Sequence, residues 1–272
     1  MSSLNGNVVA ITGAGSGIGR ELARKLAEEG CHLALADIDG EKLEQTMAIV
    51  DRPGLKVTTH VVDVAQFDSV RDFAGETLEK HGRVDWVINN AGIMLVGRAS
   101  EVAVEDFERL MKINFFGAVY GTQAFLPHLL ENGSGGVVNI SSLLGLIGAP
   151  TLGIYSASKF AVRGFTESVQ MELLGTGVRA VCVHPGGIKT DLYSSGQFYS
   201  DFDGSNSKEE WVERFLELCP TTPERAAAKI VRGIKKGANR ILVGPDAIFL
   251  ERLPRWFPKS YPRLLLFLHR FR

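Results

Sequence analysis

Cysteine is scarce in this chain: Cys31, Cys182 and Cys219 form an odd set without CxxC spacing. That rules out a disulfide framework, and the apolar neighbours of the first two fit reduced, buried thiols in a reducing compartment. Long apolar runs are missing as well. No window reaches the roughly 18 apolar residues of a spanning helix. Met1 to Asn7 carry no basic cluster leading into an apolar stretch, so neither a transmembrane segment nor a signal peptide is expected, and the location is read as cytoplasmic. Charge of one sign is lacking too, with 30 Lys and Arg against 31 Asp and Glu for a formal −1. Without a long-range field to gather nucleic acid, a basic-groove protein is excluded. The 6 histidines show no HExxH or other metal spacing. No catalytic metal is expected, and His184 beside Pro185 reads as a strand-end packing residue.

What the chain does have is a β-rich rhythm. Its 272 residues, 45% hydrophobic, suit one large α/β domain. Short β-branched apolar runs recur at Val8 to Ile11, Leu33 to Ala36, Val57 to Val62, Val84 to Ile88, Val137 to Ile140, Val178 to Val183 and Ile241 to Val243. Helical-period segments separate them, so the pattern predicts about seven parallel strands with helices on both faces, a single doubly wound α/β domain of Rossmann type. Between the first two runs, Ile18, Leu22 and Leu26 form one helical stripe, and Gly30 fits the stop. Near the other end, Thr222, Pro223 and Glu224 read as N-cap, first position and acidic first turn, and Lys235, Lys236 and Gly237 close that helix. The division expected is a catalytic domain over 1–250 and a tail over 251–272.

Directly after the first strand comes Thr12-Gly13-Ala14-Gly15-Ser16-Gly17-Ile18-Gly19. Glycines let the backbone turn sharply and approach a pyrophosphate, and the helix start adds free N–H groups and partial positive charge. A dinucleotide is the expected ligand, held at Gly13, Ser16, Gly17, Ile18 and Gly19. Eighteen residues beyond Gly19, Asp37 ends the second strand, where a carboxylate accepts from both ribose hydroxyls and repels a 2′-phosphate. With no Arg or Lys at Ser16 or Ile38, NAD(H) is expected over NADP(H).

The residues then assemble a recognisable set. Thr12-Gly-x-x-x-Gly-x-Gly19, Asn89-Asn90-Ala91-Gly92, Asn114, Ser141-Ser142, Tyr155-x-x-x-Lys159 and Pro185-Gly186 occur in the order and spacing of the short-chain dehydrogenase/reductase family, which the chain resembles over about residues 5 to 244. Tyr155 and Lys159, four apart in a helical segment, project from one face. A phenol with a pKa of about 10 is a poor proton exchanger near neutrality, but an adjacent ammonium and an oxidised nicotinamide both favour the phenolate. Tyr155 is therefore the expected acid/base for hydride exchange at a CH–OH or carbonyl carbon. Ser142, at the end of the fifth predicted strand, is placed to polarise the substrate oxygen, ahead of Ser141. The resemblance implies that Lys159 also bonds the nicotinamide ribose, that Asn114 holds a water joining Lys159 to solvent, and that the protein is a homodimer or homotetramer.

The resemblance also implies cofactor walls at the strand ends: Asp63 and Val64 against adenine, Asn90, Ala91 and Gly92 along adenosine and ribose, and Pro185, Gly186, Ile188 and Thr190 at the carboxamide and phosphate. A turn-forming role competes for Asp63 and for Asn90 to Gly92. Around the reacting centre the chain is apolar, with Met94, Leu95, Leu143, Leu144, Ile147 and Leu192, then Tyr193, Phe198, Tyr199, Phe202, Trp211 and Phe215. A hydrophobic secondary alcohol or ketone is expected in a pocket of Met94, Leu143, Leu144 and Leu192, beneath a lid over 191–216; simple packing of the lid is the competing reading. Residues 251–272 carry 6 Lys or Arg against one Glu, while residues 1–250 carry 24 basic and 30 acidic groups. This basic, Trp- and Phe-bearing tail could cover the pocket, dock on a subunit or lie in a membrane interface. Two other functions fit the same fold: a non-catalytic dinucleotide sensor, which has no use for Tyr155, and an epimerase or dehydratase, for which no nucleotide-sugar anchor is present.

Overall fold

The computed structural model describes residues 3–202, 204 and 207–270, except for the side chains of 265 and 267–270. Residues 203, 205 and 206 of the expected lid, Arg272, and the side chains of Leu265, Leu268 and Arg270 therefore lie outside the described residues. In chain order the strands are β1 (Val8–Thr12), β2 (His32–Asp37), β3 (Val57–Val61), β4 (Trp86–Asn89), β5 (Leu95–Val96), β6 (Gly136–Ile140), β7 (Arg179–Pro185), β8 (Gln197–Phe198) and β9 (Arg240–Val243). Seven of them form one parallel sheet ordered β3-β2-β1-β4-β6-β7-β9. These seven coincide with the apolar runs, each shifted by no more than two residues. The largest offset at a strand start is at β4, where Val84 and Asp85 precede the strand and the Asp85 carboxylate instead accepts from Val8 N at 2.8 Å.

The helices are α1 (Gly17–Glu28), α2 (Gly40–Val50), α3 (Phe67–His81), α4 (Val104–Met111), α5 (Gly117–Asn132), α6 (Gly153–Glu172), α7 (Leu192–Ser195), α8 (Lys208–Glu217), α9 (Pro223–Lys235), α10 (Pro245–Trp256) and α11 (Tyr261–Arg270). Alternate strand residues face opposite layers. Val9, Ile11, Leu33, Ile88 and Val183 pack with Leu22 and Leu26 of α1 and Ile230 of α9. Ala10, Ala34, Val87, Val137 and Ala180 pack with Phe73 of α3, Phe125 of α5 and Val169 of α6. The end signals act as expected: Gly30 and Gly237 adopt φ 82° and 76°, and the Thr222 hydroxyl accepts from Arg225 N.

Chain direction reverses its march across the sheet at β1, whose neighbours are β2 and β4. Open α/β sheets bind ligands at the carboxyl ends of the strands flanking such a point. A third apolar cluster sits beyond those ends, joining Met94, Leu95, Leu152 and Tyr155 to Tyr193, Trp211 and Cys219. It is anchored by the two-residue parallel ribbon β5–β8, in which Gln197 N donates to Met94 O at 3.0 Å. Two-residue strands carry no periodicity, so this ribbon leaves no mark in the amino-acid pattern. All three cysteines are buried and free of disulfides. No helix among the described residues is long and apolar enough to cross a membrane. The composition change at residue 251 falls inside α10, which leaves the sheet directly after β9.

Candidate active site

One cleft of about 1300 Å³ lies at the carboxyl ends of the strands, and nearly every predicted site residue lines it. At its first end stand Gly13, Ser16, Gly17 and Ile18 of the loop between β1 and α1. Gly13 and Gly17 adopt φ 65° and 51°, the left-handed region that glycine enters without penalty. A Cβ on Gly13 would come within 2.8 Å of Ala91 Cα, and one on Gly19 would overlap the Gly13 carbonyl oxygen. Gly19 itself does not line the cleft; its role is to let α1 pack against the loop. Ser16 is the N-cap residue of α1 but makes no side-chain capping bond.

Asp37 closes this end. Its carboxylate accepts from Gly15 N at 2.9 Å and from Asp39 N at 3.1 Å, which fixes it beside the glycine loop. Two nearby cations lie at positions that the sequence does not mark. Lys42, on the first turn of α2, lines the cleft and pairs with Asp39 at 3.2 Å. Arg20 donates to the Gly15 carbonyl and to Thr46 Oγ1.

Along one wall follow Asp63, Val64, Asn90, Ala91 and Gly92. Two of them are also structural. The Asp63 carboxylate accepts from Ala65 N at 2.9 Å. Asn90 Nδ2 donates to the Thr12 and Gly13 carbonyls, both at 3.0 Å, while Thr12 Oγ1 accepts from Asn90 N and Ala91 N. The side chain of Asn90 thus laces β4 to the glycine loop. Opposite stand Pro185, Gly186, Ile188 and Thr190. A Cβ on Gly17 would touch Thr190 Cγ2 at 3.3 Å, so the two loops meet across the cleft.

The second end gathers Ser142, Tyr155 and Lys159. The Tyr155 phenol, 6% exposed, shares a hydrogen bond with the Ser142 hydroxyl, and Ser142 Oγ also accepts from Leu144 N at 3.1 Å. Ser141 points away and donates to the Lys159 carbonyl at 2.8 Å. Lys159 Nζ donates to Ile140 O at 3.0 Å and lies 5.6 Å from the centre of the Tyr155 ring. Burial governs both titrations. It pushes the Tyr155 phenol up to about 12, with the Ser142 bond pulling the other way, and it draws the Lys159 ammonium down to about 8. Spacing alone shows the neighbouring cation and not this desolvation.

Asn114 stands behind this end, outside the cleft lining. It sits in a π-helical turn, Lys112–Phe116, between α4 and α5. Its amide is fully engaged: Oδ1 accepts from Ile93 N at 2.8 Å, and Nδ2 donates to Ile93 O at 3.0 Å and Ser158 Oγ at 3.2 Å. A Cβ on Gly92 would lie 3.2 Å from Asn114 Oδ1 and 3.5 Å from Lys159 Nζ, so all three share one corner.

Met94, Leu143, Leu144, Ile147 and Leu192 line the cleft, as do Tyr193, Phe202, Trp211 and Phe215 of the segment 191–216. Leu95, Phe198 and Tyr199 do not; they serve the third cluster, as the packing alternative expected. Charge is present at this end as well, since Arg109 and Arg214 line the cleft, with Arg214 paired to Asp201 at 2.8 Å.

Two further residues make contacts that the sequence does not show. His184, fully buried on β7, bonds the Ser142 carbonyl through Nδ1 at 3.1 Å. A carbonyl only accepts, so Nδ1 carries the proton. Asp246, on the first turn of α10, accepts from Gly187 N at 2.6 Å. A Cβ on Gly186 would overlap its carboxylate. It therefore braces the loop after β7 from an element outside the recognisable motifs.

Comparison with known proteins agrees with this arrangement. The model of the short chain dehydrogenase family matches residues 7–197. SadH of Mycobacterium tuberculosis is 43% identical over 267 residues, covering 97% of this chain and 96% of its own. A Drosophila melanogaster protein, dehydrogenase/reductase SDR family protein 7-like, is 34% identical over 79% of this chain and 70% of its own. Among solved structures, a short chain dehydrogenase/reductase from Burkholderia phymatum in complex with NAD superposes with a TM-score of 0.88 at 27% identity, covering 96% of this chain and 97% of that one. Levodione reductase superposes with 0.80 at 31% identity, covering 90% and 98%. The chain belongs to the short-chain dehydrogenase family of oxidoreductases.

Proposed function

We propose that the protein transfers hydride between NAD(H) and a hydrophobic secondary alcohol or ketone, with Tyr155 as general acid/base. The observation that carries this reading is one continuous cleft with Asp37 and the glycine loop at one end and the Ser142–Tyr155–Lys159 group at the other. The residues fit a dinucleotide. Gly13 and Gly17 leave a backbone cradle that side chains would fill, and the start of α1 presents free N–H groups to a pyrophosphate. Asp37 would accept from the adenosine ribose, Asp63 and Val64 would flank adenine, and Ile188 and Thr190 would hold the carboxamide and phosphate. That NAD-bound relatives share the fold supports the same assignment. Asp37 favours NAD(H), since its carboxylate repels a 2′-phosphate. When bound, the nicotinamide supplies or accepts the hydride at its C4 carbon.

The remaining chemistry belongs to the chain. In reduction, Tyr155 donates its proton to the carbonyl oxygen that the Ser142 hydroxyl orients. In oxidation it removes the hydroxyl proton. With burial holding the phenol near 12, Tyr155 is protonated at neutral pH and ready to reduce, whereas oxidation is expected to quicken as pH rises. Lys159, 5.6 Å from the Tyr155 ring centre, would stabilise the phenolate and would bond the ribose. Asn114, locked to Ile93 and Ser158, holds the π-helical turn beside Lys159 through which a water can renew the proton. The apolar lining at Met94, Leu143, Leu144 and Leu192 favours a lipophilic substrate, with 191–216 as its lid. A homodimer or homotetramer in the cytoplasm completes the reading.

Tyr155→Phe tests it. Turnover of hydrophobic alcohols with NAD, and of ketones with NADH, is expected to fall by about 10²–10⁴, while NADH binding measured by fluorescence stays within a factor of two or so of wild type. Full activity in this variant would remove Tyr155 from the proton transfer.

A further inference from the structure

Beyond the sheet, the C-terminal helices present an outward face of their own. On α10, Ala247 and Leu253 face inward and are buried, whereas Ile248, Phe249, Arg252, Arg255 and Trp256 face outward. Phe249, Trp256 and Phe257 are 59%, 65% and 51% exposed, a concentration of bare aromatic surface beyond what isolated apolar residues need. Leu264 of α11 continues it. Cations are interleaved with these rings. Glu251, the single acid of residues 251–272, is consumed by Arg240 and Arg255 at 3.3 and 2.8 Å. Arg252, Lys259 and Arg263 are exposed and form no ion pair among the described residues.

We propose that this outward face of α10, with the turn into α11, is a docking surface for an anionic lipid bilayer. Charge complementarity selects that occupant. The segment carries 6 basic groups against one acid on a chain whose first 250 residues are net acidic. A two-fold contact between copies would set this basic face against a second basic face, whereas an anionic headgroup layer attracts each of its cations. Exposed Trp and Phe beside cations are the composition of an interfacial helix. The face also borders the cleft: Phe249 and Leu250 of α10 and Leu266 of α11 line it together with Leu192 and Phe215. Docking by α10 therefore turns the apolar opening toward the acyl layer, and a lipophilic alcohol or ketone enters without crossing water. This last step rests on the substrate class proposed above; the docking does not.

The test uses the full chain and vesicles of phosphatidylcholine with and without phosphatidylserine. Wild type is expected to sediment with the anionic vesicles, to be released by high salt, and to ignore pure phosphatidylcholine. The variant Arg252→Gln/Lys259→Gln/Arg263→Gln is expected to lose about a hundredfold in partition, at roughly fivefold per cation. Its melting temperature, its size on gel filtration and its turnover of a water-soluble ketone should match wild type. Brominated lipid should quench Trp256, since Trp86 and Trp211 are buried, and Trp256→Phe should abolish that quenching. Failure of wild type to bind anionic vesicles, equal binding by the triple variant, or a change of oligomer size without a change in vesicle binding would each overturn the proposal. Sedimentation involves no substrate, so its outcome is independent of whether the substrate is lipophilic.

Discussion

Replacing Lys159 by methionine should cost activity and not stability. The ammonium is 4% exposed and burial draws it from its ordinary 10.5 to about 8. A depressed lysine pKa means the folded state resists protonation. Below pH 8 the fold therefore carries a penalty of about 3 kcal/mol, which fades as pH rises from 8 toward the unfolded value. Methionine matches lysine closely in volume, so no cavity forms. The loss lies in the Ile140 carbonyl, which gives up its 3.0 Å donor, at about 1–3 kcal/mol. The two effects oppose, and at pH 7 Lys159→Met should range from neutral to about 2 kcal/mol more stable than wild type. Between pH 8 and 9.5 wild type should gain about 2 kcal/mol on the variant, because only wild type sheds the buried proton. Urea unfolding of both proteins without dinucleotide, at pH steps from 7 to 9.5, reads this directly. Turnover at pH 7 should meanwhile fall by about 10²–10⁴. A variant more than about 2 kcal/mol less stable at pH 7, or pH curves that run parallel, would refute the desolvation argument.

The ribose end should respond to charge. Asp37→Ala is expected to weaken NADH binding and to narrow or reverse its advantage over NADPH, with Lys42 left to meet the 2′-phosphate; fluorescence titration with both dinucleotides checks this. Asp246 should act through the loop it braces. Asp246→Ala is expected to raise the dissociation constant of NADH about tenfold by losing a charged acceptor, with Asp246→Asn restoring most of it and the KM for the ketone little changed. His184 should mark the acid limit of the fold. Burial draws it from 6.5 to about 4, so stability is lost as pH falls through that window. His184→Gln should be spared about 3 kcal/mol of that loss, seen as a shallower fall in unfolding free energy between pH 6.5 and 4.

How much is legible depends on whether a residue acts through its neighbours in sequence. The seven main strands are readable because strands buried on both faces must be continuous apolar runs, as Val8 to Ile11 and Val178 to Val183 are. Tyr155 and Lys159 are readable because a helix brings positions four apart onto one face. Asp246 is not, since it reaches Gly187 from 59 residues away, and its own segment resembles an ordinary helix start. Lys42 and Arg20 stay hidden for a similar reason: α2 and α1 carry them to the glycine loop from positions that no local motif marks. Asn90, expected as a wall, lines the cleft and also laces β4 to the loop.

By itself the sequence determined the parallel sheet, the glycine cradle and the candidate site side chains, because each is written in local periodicity or in short fixed spacing. Only the tertiary structure decided how those groups ionise and what surrounds the substrate. Burial, which sets Tyr155 near 12 and Lys159 near 8, is a sum over atoms drawn from β6, α6 and the loop after β7. The placing of α10 and α11 at the cleft mouth likewise arises from packing between distant segments.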